Sequence, residues 1–296
     1  MRGGVQDVGA YNFDETKTLV FSGGGNRCWW QAGAVRRLLD HGLALPGQLV
    51  GTSAGAAVAA SFLAQGDGTA LEACLRLFAG NPRIFDWSGL ARLTLKFAHQ
   101  EVYPAWIDAF ISTKTFDTLR HASSRLVVGL TRPARLLGTG GSVVAGTLAY
   151  LFDRYLWNSI HPRLPARMGL RQDFMVLNDC ADIESAQSLL VAAASAPPFM
   201  SARHVGGAHA IDGGYTDNAP IPRQSDGERA GTLVLLTRHY PALPMLFKWE
   251  GRTYWQPSRR IPVSTWDCSP GTTVRDAYAL GAQDAAFFLS HKVADG

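Results

Sequence analysis

Apolar positions along this chain switch between short unbroken runs and helical spacing, and the order of the two predicts an α/β fold. Lys17 to Ser22 (K-T-L-V-F-S) is a β-prone run closed by Gly23-Gly24-Gly25, and Cys28 to His41 then repeats apolar residues at helical spacing up to Gly42. Gln48 to Gly51 follows as a second strand and Ala54 to Ala64 as a buried, alanine-rich helix. A βαβα opening of this kind predicts a parallel sheet with right-handed crossovers. Between Gly66 and His121 the pattern is helical, with helices over Leu71 to Phe78 and Val102 to Ile111 separated by Asn81-Pro82 and Gly89. Arg125 to Leu130 and Phe174 to Asn178 read as strands, and Glu184 to Ala196 as a helix ended by Pro197-Pro198. Ala208 to Ile211 and Thr232 to Thr237 are the last clear strands, and Thr273 to Leu289 is a closing amphipathic helix. Leu137 to Pro165 departs from this rhythm, being Gly-rich, then aromatic, then broken by Pro162 and Pro165, as a cap inserted over a site would be. With no internal repeat and no long linker, residues 1–296 are expected to form a single domain.

Composition narrows the setting. A chain of 296 residues, 47% hydrophobic and 18% charged, can bury one large core. Met1 to Thr16 carries Asp7, Asp14 and Glu15 and no apolar run, so a cleaved export signal is not expected. Leu136 to Phe152 is uncharged but shorter than the ~20 apolar residues of a spanning helix. Cys28, Cys74, Cys180 and Cys268 stand far apart, which argues against a disulfide framework or a cysteine-built zinc site and for a reducing, cytoplasmic compartment. The net charge of +4 is too mild to imply nucleic acid as a partner. Its distribution is uneven: from Thr118 to Gln172 eight arginines (Arg120, Arg125, Arg132, Arg135, Arg154, Arg163, Arg167, Arg171) face one acid, Asp153, among Tyr150, Phe152, Tyr155 and Trp157. Such a segment is either an ordinary solvated basic face or one suited to peripheral contact with an anionic membrane.

Three short motifs carry the chemistry. Gly51-Thr52-Ser53-Ala54-Gly55 fits the G-x-S-x-G elbow, in which small neighbours let a serine sit on a tight strand-to-helix turn with its hydroxyl exposed. Gly140-Gly141-Ser142-Val143-Val144 imitates it but lacks the closing glycine and a preceding strand. Gly23-Gly24-Gly25, at a strand end and a helix start, can present backbone N–H groups to a developing oxyanion. A dinucleotide loop would need glycine where Cys28 stands and an acid near position 48, and a Walker loop would need a following Gly-Lys-Ser/Thr. Asp212-Gly213-Gly214 ends a strand with a carboxylate, a usual place for a catalytic group in a parallel sheet, although Asp-Gly is also a common turn.

In this order and spacing the motifs resemble the patatin-like phospholipase family, marked by G-G-G-x-R/K-G, then G-x-S-x-G, then D-G-G or D-G-A. Here they read Gly23-Gly24-Gly25-Asn26-Arg27-Cys28, Gly51-Thr52-Ser53-Ala54-Gly55 and Asp212-Gly213-Gly214. Ala194-Ser195-Ala196-Pro197-Pro198-Phe199 and Asp217-Asn218-Ala219-Pro220 are similar to the family as well, so the resemblance runs from about Thr18 to Pro222. It implies a three-layer α/β/α fold with a mainly parallel central sheet and helices on both faces. It also implies a lipid acyl-ester hydrolase in which Asp212 takes a proton from Ser53, the serine attacks an acyl carbonyl, and water frees the acyl-enzyme. Gly23, Gly24 and Gly25 would form the oxyanion hole, with Arg27 adding positive charge beside it or pairing with a local carboxylate. The departure is Cys28, in place of the motif's closing glycine, followed by Trp29-Trp30, which bears on backbone geometry there. Two other readings stay open. One is an α/β-hydrolase-type esterase or thioesterase with a Ser53-Asp212-His239 triad, and the other a lipid-binding protein without turnover. No cofactor is implied, and no dense Asp/Glu cluster offers a calcium or other metal site.

Overall fold

A computed structural model describes residues 4–9, 11–81, 83–86, 96–152 and 159–292 of the chain. Pro82, Gly89, Asp153, Arg154, Tyr155 and Trp157 lie outside the described residues. The first half comprises β1 (Gln6–Asp7), β2 (Thr18–Phe21), α1 (Cys28–Asp40), β3 (Gln48–Thr52), α2 (Ser53–Leu63), α3 (Asp67–Ala79), β4 (Phe85–Asp86), β5 (Lys96–Phe97), α4 (His99–Phe110), α5 (Thr113–Arg120) and β6 (Arg125–Arg132). The second comprises α6 (Gly138–Phe152), α7 (Leu164–Arg167), β7 (Arg171–Val176), α8 (Ile183–Ala193), β8 (Arg203–Val205), β9 (Ala208–Asp212), α9 (Asp226–Ala230), β10 (Thr232–Leu235), β11 (Leu246–Trp249), β12 (Arg252–Trp255) and α10 (Val274–Lys292).

The fold is mixed α/β. A ten-stranded sheet runs β1-β11-β12-β10-β2-β3-β6-β9-β8, with β7 also paired to β6. Its centre, β12-β10-β2-β3-β6, is parallel, and antiparallel strands complete both edges. Every residue of β2 and β10 is buried, as strands covered on both faces require, which is why their sequences read as unbroken apolar runs. Side chains alternate across the sheet. Leu19, Phe21 and Leu49 join the larger core with helices α1, α2, α8 and α10. Val20, Val50, Val127 and Val234 point the other way, against Ile160, Ala219, Leu236, Tyr240 and Tyr254. Helix α2, buried at all its positions, has no polar face because none of it meets water.

Three elements, β11, β12 and α6, depart from the sequence reading, and a fourth, α5, falls unnamed inside the stretch read as helical. The strands continue beyond Thr237: β11 and β12 form a hairpin around Glu250 and Gly251, both at positive φ, and β12 extends the parallel set. Helix α5 is only eight residues long and is set by its cap, where Ser112 and Thr115 bond reciprocally. Gly138–Phe152, within the segment read as glycine-rich and irregular, is helix α6, whose small residues Ala145, Gly146 and Ala149 let it lie close to Ala134, Leu170 and Tyr215.

Candidate active site

Strand β3 passes directly into α2, and the junction residue Ser53 sits at φ +53° although it is not glycine. That left-handed conformation costs free energy and holds only where the surroundings enforce it. The two motif glycines supply the enforcement: a Cβ on Gly51 would stand 2.6 Å from the Cα of Ala56, and one on Gly55 2.7 Å from the Phe21 carbonyl oxygen. Helix α2 therefore starts pressed against β2 and β3, and the serine is lifted over the end of the sheet.

Asp212 arrives at the same level from the opposite direction. The sequence reading put it at the end of a strand in a parallel sheet, but β9 runs antiparallel to β6. Register explains the meeting, because Thr52 of β3 lies across from Gly129 of β6, and the next residue of β6, Leu130, lies across from Asp212. The Ser53 hydroxyl donates to Asp212 Oδ2 at 2.6 Å across 159 residues of sequence. The other carboxylate oxygen accepts from Gly214 N–H at 2.7 Å, and Asp212 N–H donates to the Ser195 carbonyl at 2.8 Å. Burial pushes the Asp212 carboxyl up to about 6, against the opposing pull of its bonds to Ser53 and Gly214. Asp212-Gly213-Gly214 thus opens a single helical turn, not a hairpin.

The glycine loop divides its duties. Gly23 N–H donates to the Asn218 carbonyl at 2.7 Å, while the Gly23 carbonyl accepts from Asn218 Nδ2 at 2.9 Å and from Thr237 Oγ1 at 2.5 Å. A planar trans peptide directs its N–H opposite to its carbonyl, so these bonds turn Gly24 N–H away from Asn218 and Thr237. Among the described residues neither Gly24 nor Gly25 N–H has a protein acceptor, and both residues line the cleft shared by Ser53 and Asp212. Gly23, by contrast, has already used its donor. Gly25 needs to be glycine, at φ +54° and packed against the Thr265 carbonyl, whereas Cys28 lies in ordinary helical conformation at φ −65° and accommodates a side chain. The Cys28 thiol is buried, donates to the Ser22 carbonyl at 3.5 Å, and is pushed by desolvation far above its ordinary value, which keeps it protonated. Arg27 lines the cleft and its Nε donates to the Gly24 carbonyl at 3.3 Å.

Two spaces meet at Ser53. One is a narrow apolar slot between α2, α3 and α4, walled by Ala54, Val58, Phe78, Val102, Trp106 and Met200. The other is a wide polar cleft that Asp212, Asn218 and Thr237 share with Arg27, Arg238 and Arg260. Tyr103 also lines the slot; among the described residues its hydroxyl has no hydrogen-bond partner, and burial holds its phenol well above the ordinary value. Neither Tyr103 nor the roles of Asn218 and Thr237 are legible in the sequence: Tyr103 is a helical aromatic, Thr237 a polar residue at a strand end, and the family-like stretch Asp217–Pro220 gives Asn218 no stated bond. His239 borders the cleft, but its Nδ1 is engaged with the Pro257 carbonyl at 2.9 Å and Ser53 reaches Asp212 without it. His204 of β8 and His209 of β9 are exposed, their rings meeting edge to face with centroids 5.5 Å apart. Among the described residues no group of three or more His, Cys, Asp or Glu is placed to hold a metal ion.

A serine elbow over a mostly parallel sheet, bonded directly to a buried aspartate beside a glycine loop, defines a class of α/β proteins. The patatin-like phospholipase family profile matches residues 19–223, and the chain belongs to that family, whose members are lipid acyl hydrolases. The crystal structure of VipD from Legionella pneumophila is similar in fold, with a TM-score of 0.51 and 13% identity over 97% of this chain and 70% of VipD. No curated protein sequence matches the chain.

Proposed function

We propose that the protein hydrolyses lipid acyl esters of the phospholipid, lysophospholipid or acylglycerol type, with Ser53 as nucleophile and Asp212 as its base. The observation that carries this reading is the 2.6 Å bond between Ser53 and Asp212 at the junction of an apolar slot and a polar cleft. An ester with an apolar acyl chain and a polar alcohol fits that junction, its chain in the slot and its leaving group in the cleft. Asp212 takes the Ser53 proton as Oγ attacks the acyl carbonyl, and the carbonyl oxygen, now negative, is held by Gly24 and Gly25 N–H with Arg27 nearby. Collapse expels the alcohol, which receives the proton from Asp212. Asp212 then takes a proton from water as the water oxygen attacks the acyl-enzyme, and passes it to Ser53 Oγ as the carboxylic acid leaves.

A free aspartate, with pKa near ~3.9, is a weak base at neutral pH. Burial that lifts Asp212 to about 6 brings it closer to the task. The remaining barrier falls to positioning and to the amide donors, each worth about 3 kcal/mol where such a donor has been removed from an enzyme.

Fluorophosphonate labelling with peptide mass spectrometry tests the proposal. The adduct is expected on Ser53 and absent from Ser53→Ala, which hydrolyses nothing; Asp212→Asn retains only a trace of activity and His239→Ala most of it. A well-folded protein that takes no label overturns the nucleophile, and a severe loss in His239→Ala replaces the pair with a triad.

A further inference from the structure

Helix α6 borders the polar cleft and divides its surface sharply. Ser142, Ala145, Gly146 and Ala149 are buried toward the protein, while Val144, Leu148 and Leu151, spaced i, i+4 and i+7, form an exposed column. Leu136 and Leu137, just ahead of the helix, and Met168, just after α7, are exposed as well, Leu136 fully so. Thr147, next to Leu148, lines the cleft together with Tyr150, so the exposed column adjoins the cleft mouth.

Charge surrounds this surface but is absent from it. Residues 136–152 hold no charged side chain, and Arg135, Arg167 and Arg171 at its borders are exposed. Not every arginine of the basic segment is available: Arg132 is buried against Asp173 at 2.7 Å and Arg125 meets Asp179 at 2.6 Å. From residue 133 to 172 the sequence offers no acid except Asp153, which lies outside the described residues.

We infer that α6 and its flanking arginines dock the protein on an anionic lipid bilayer, with the cleft mouth against the bilayer surface. A smooth aliphatic column without charged side chains offers little directional recognition to a protein partner, whereas aliphatic area rimmed by cations complements an anionic interface. No helix among the described residues is long and apolar enough to cross a membrane. The inference draws its purpose from the acyl-hydrolase reading, since docking shortens the path of a bilayer ester to buried Ser53, but binding itself requires no turnover.

Sedimentation with vesicles therefore uses the Ser53→Ala protein, so that no lipid is consumed. It is expected to pellet with vesicles of phosphatidylglycerol and phosphatidylcholine in equal parts, far less with phosphatidylcholine alone, and less in high salt. Leu148→Glu and, separately, Val144→Glu should each lower the bound-to-free ratio by about tenfold, the worth of one aliphatic side chain withdrawn from the interface. Arg135→Gln with Arg167→Gln should weaken binding to the mixed vesicles alone. A parent protein that ignores both vesicles, or variants that pellet like the parent, overturns the inference. So does a dimer that Leu148→Glu breaks without altering sedimentation, which assigns the face to a second copy of the chain. With Ser53 intact, hydrolysis of a water-soluble ester checks the acyl-hydrolase reading separately, because its failure there leaves the sedimentation result standing.

Discussion

Asp212 is the residue whose surroundings act most directly on its chemistry. Its carboxyl is buried, and desolvation outweighs the two hydrogen bonds that favour the anion. Activity should accordingly fall as pH drops through about 6, where the carboxylate takes up a proton and can no longer accept one from Ser53. A pH profile of kcat/KM on a soluble ester measures this directly. Stability should show the opposite preference. Folded Asp212 holds its proton more tightly than the unfolded chain does, so its contribution is whole below the unfolded value of 3.8 and lost as pH rises through about 6. Asp212→Asn, neutral throughout, should therefore be more stable than wild type at pH ~8, by about 2 to 3 kcal/mol from the size of the shift, and gain nothing at pH ~4. Thermal melts of both proteins at the two pH values decide it; an equal gain at both would place the effect in packing instead of charge.

At the level of elements, α1 joins the site to the frame. It begins immediately after the glycine loop, and Trp30 on it is fully buried against Trp255 of β12, with ring centroids 5.3 Å apart. The Trp30 indole N–H donates to Asp284 of α10 at 2.7 Å, and Asp284 otherwise accepts from Ser258 N–H at 3.0 Å. Trp30→Ala should cost about 3 to 5 kcal/mol through lost burial and the cavity left behind. Trp30→Phe keeps much of the bulk but removes one of the two hydrogen bonds to buried Asp284 Oδ2, leaving it the Ser258 N–H, at about 1 to 3 kcal/mol. Urea unfolding midpoints of the two variants separate these terms. The elements nearest the site were readable from pattern because each announces itself locally. Strand β2 is a closed apolar run, α1 has helical spacing, and α2 is too small and too apolar to be a surface helix. Helix α6 was not, since glycine and alanine at its inner positions look irregular until Tyr215 and Leu170 are seen packed over them. The β11–β12 hairpin was hidden by its four-residue strands, of which β12 pairs with β10 and β11 with β1, both contacts at a distance.

Over the whole molecule, the arrangement that matters is the meeting of the apolar slot and the polar cleft at Ser53. Val102, half-buried on α4, lines the slot. Val102→Phe should lower kcat/KM for an octanoyl ester by about tenfold or more while sparing the acetyl ester, because added bulk in a closed slot is not absorbed by a close-packed interior. Rates on a p-nitrophenyl ester series measure it, and equal loss at every chain length would move the acyl chain elsewhere. The three motifs and the alternation around them were written locally, because an elbow needs glycines beside its serine and an oxyanion loop needs residues without side chains. Family and mostly parallel sheet could thus be read in one dimension, and the same motifs nominate Ser53, Asp212 and the glycines as the site. What folding alone decided is which of these groups face one another. The antiparallel return of β9 sets Asp212 against Ser53, and Asn218 and Thr237 use up the Gly23 peptide, while Gly24 and Gly25 N–H have no protein acceptor among the described residues. Burial, which depends on every element at once, moves the Asp212 carboxyl and keeps Cys28 a thiol. Such relations join residues far apart in the chain through sheet register and desolvation, and no local pattern encodes either.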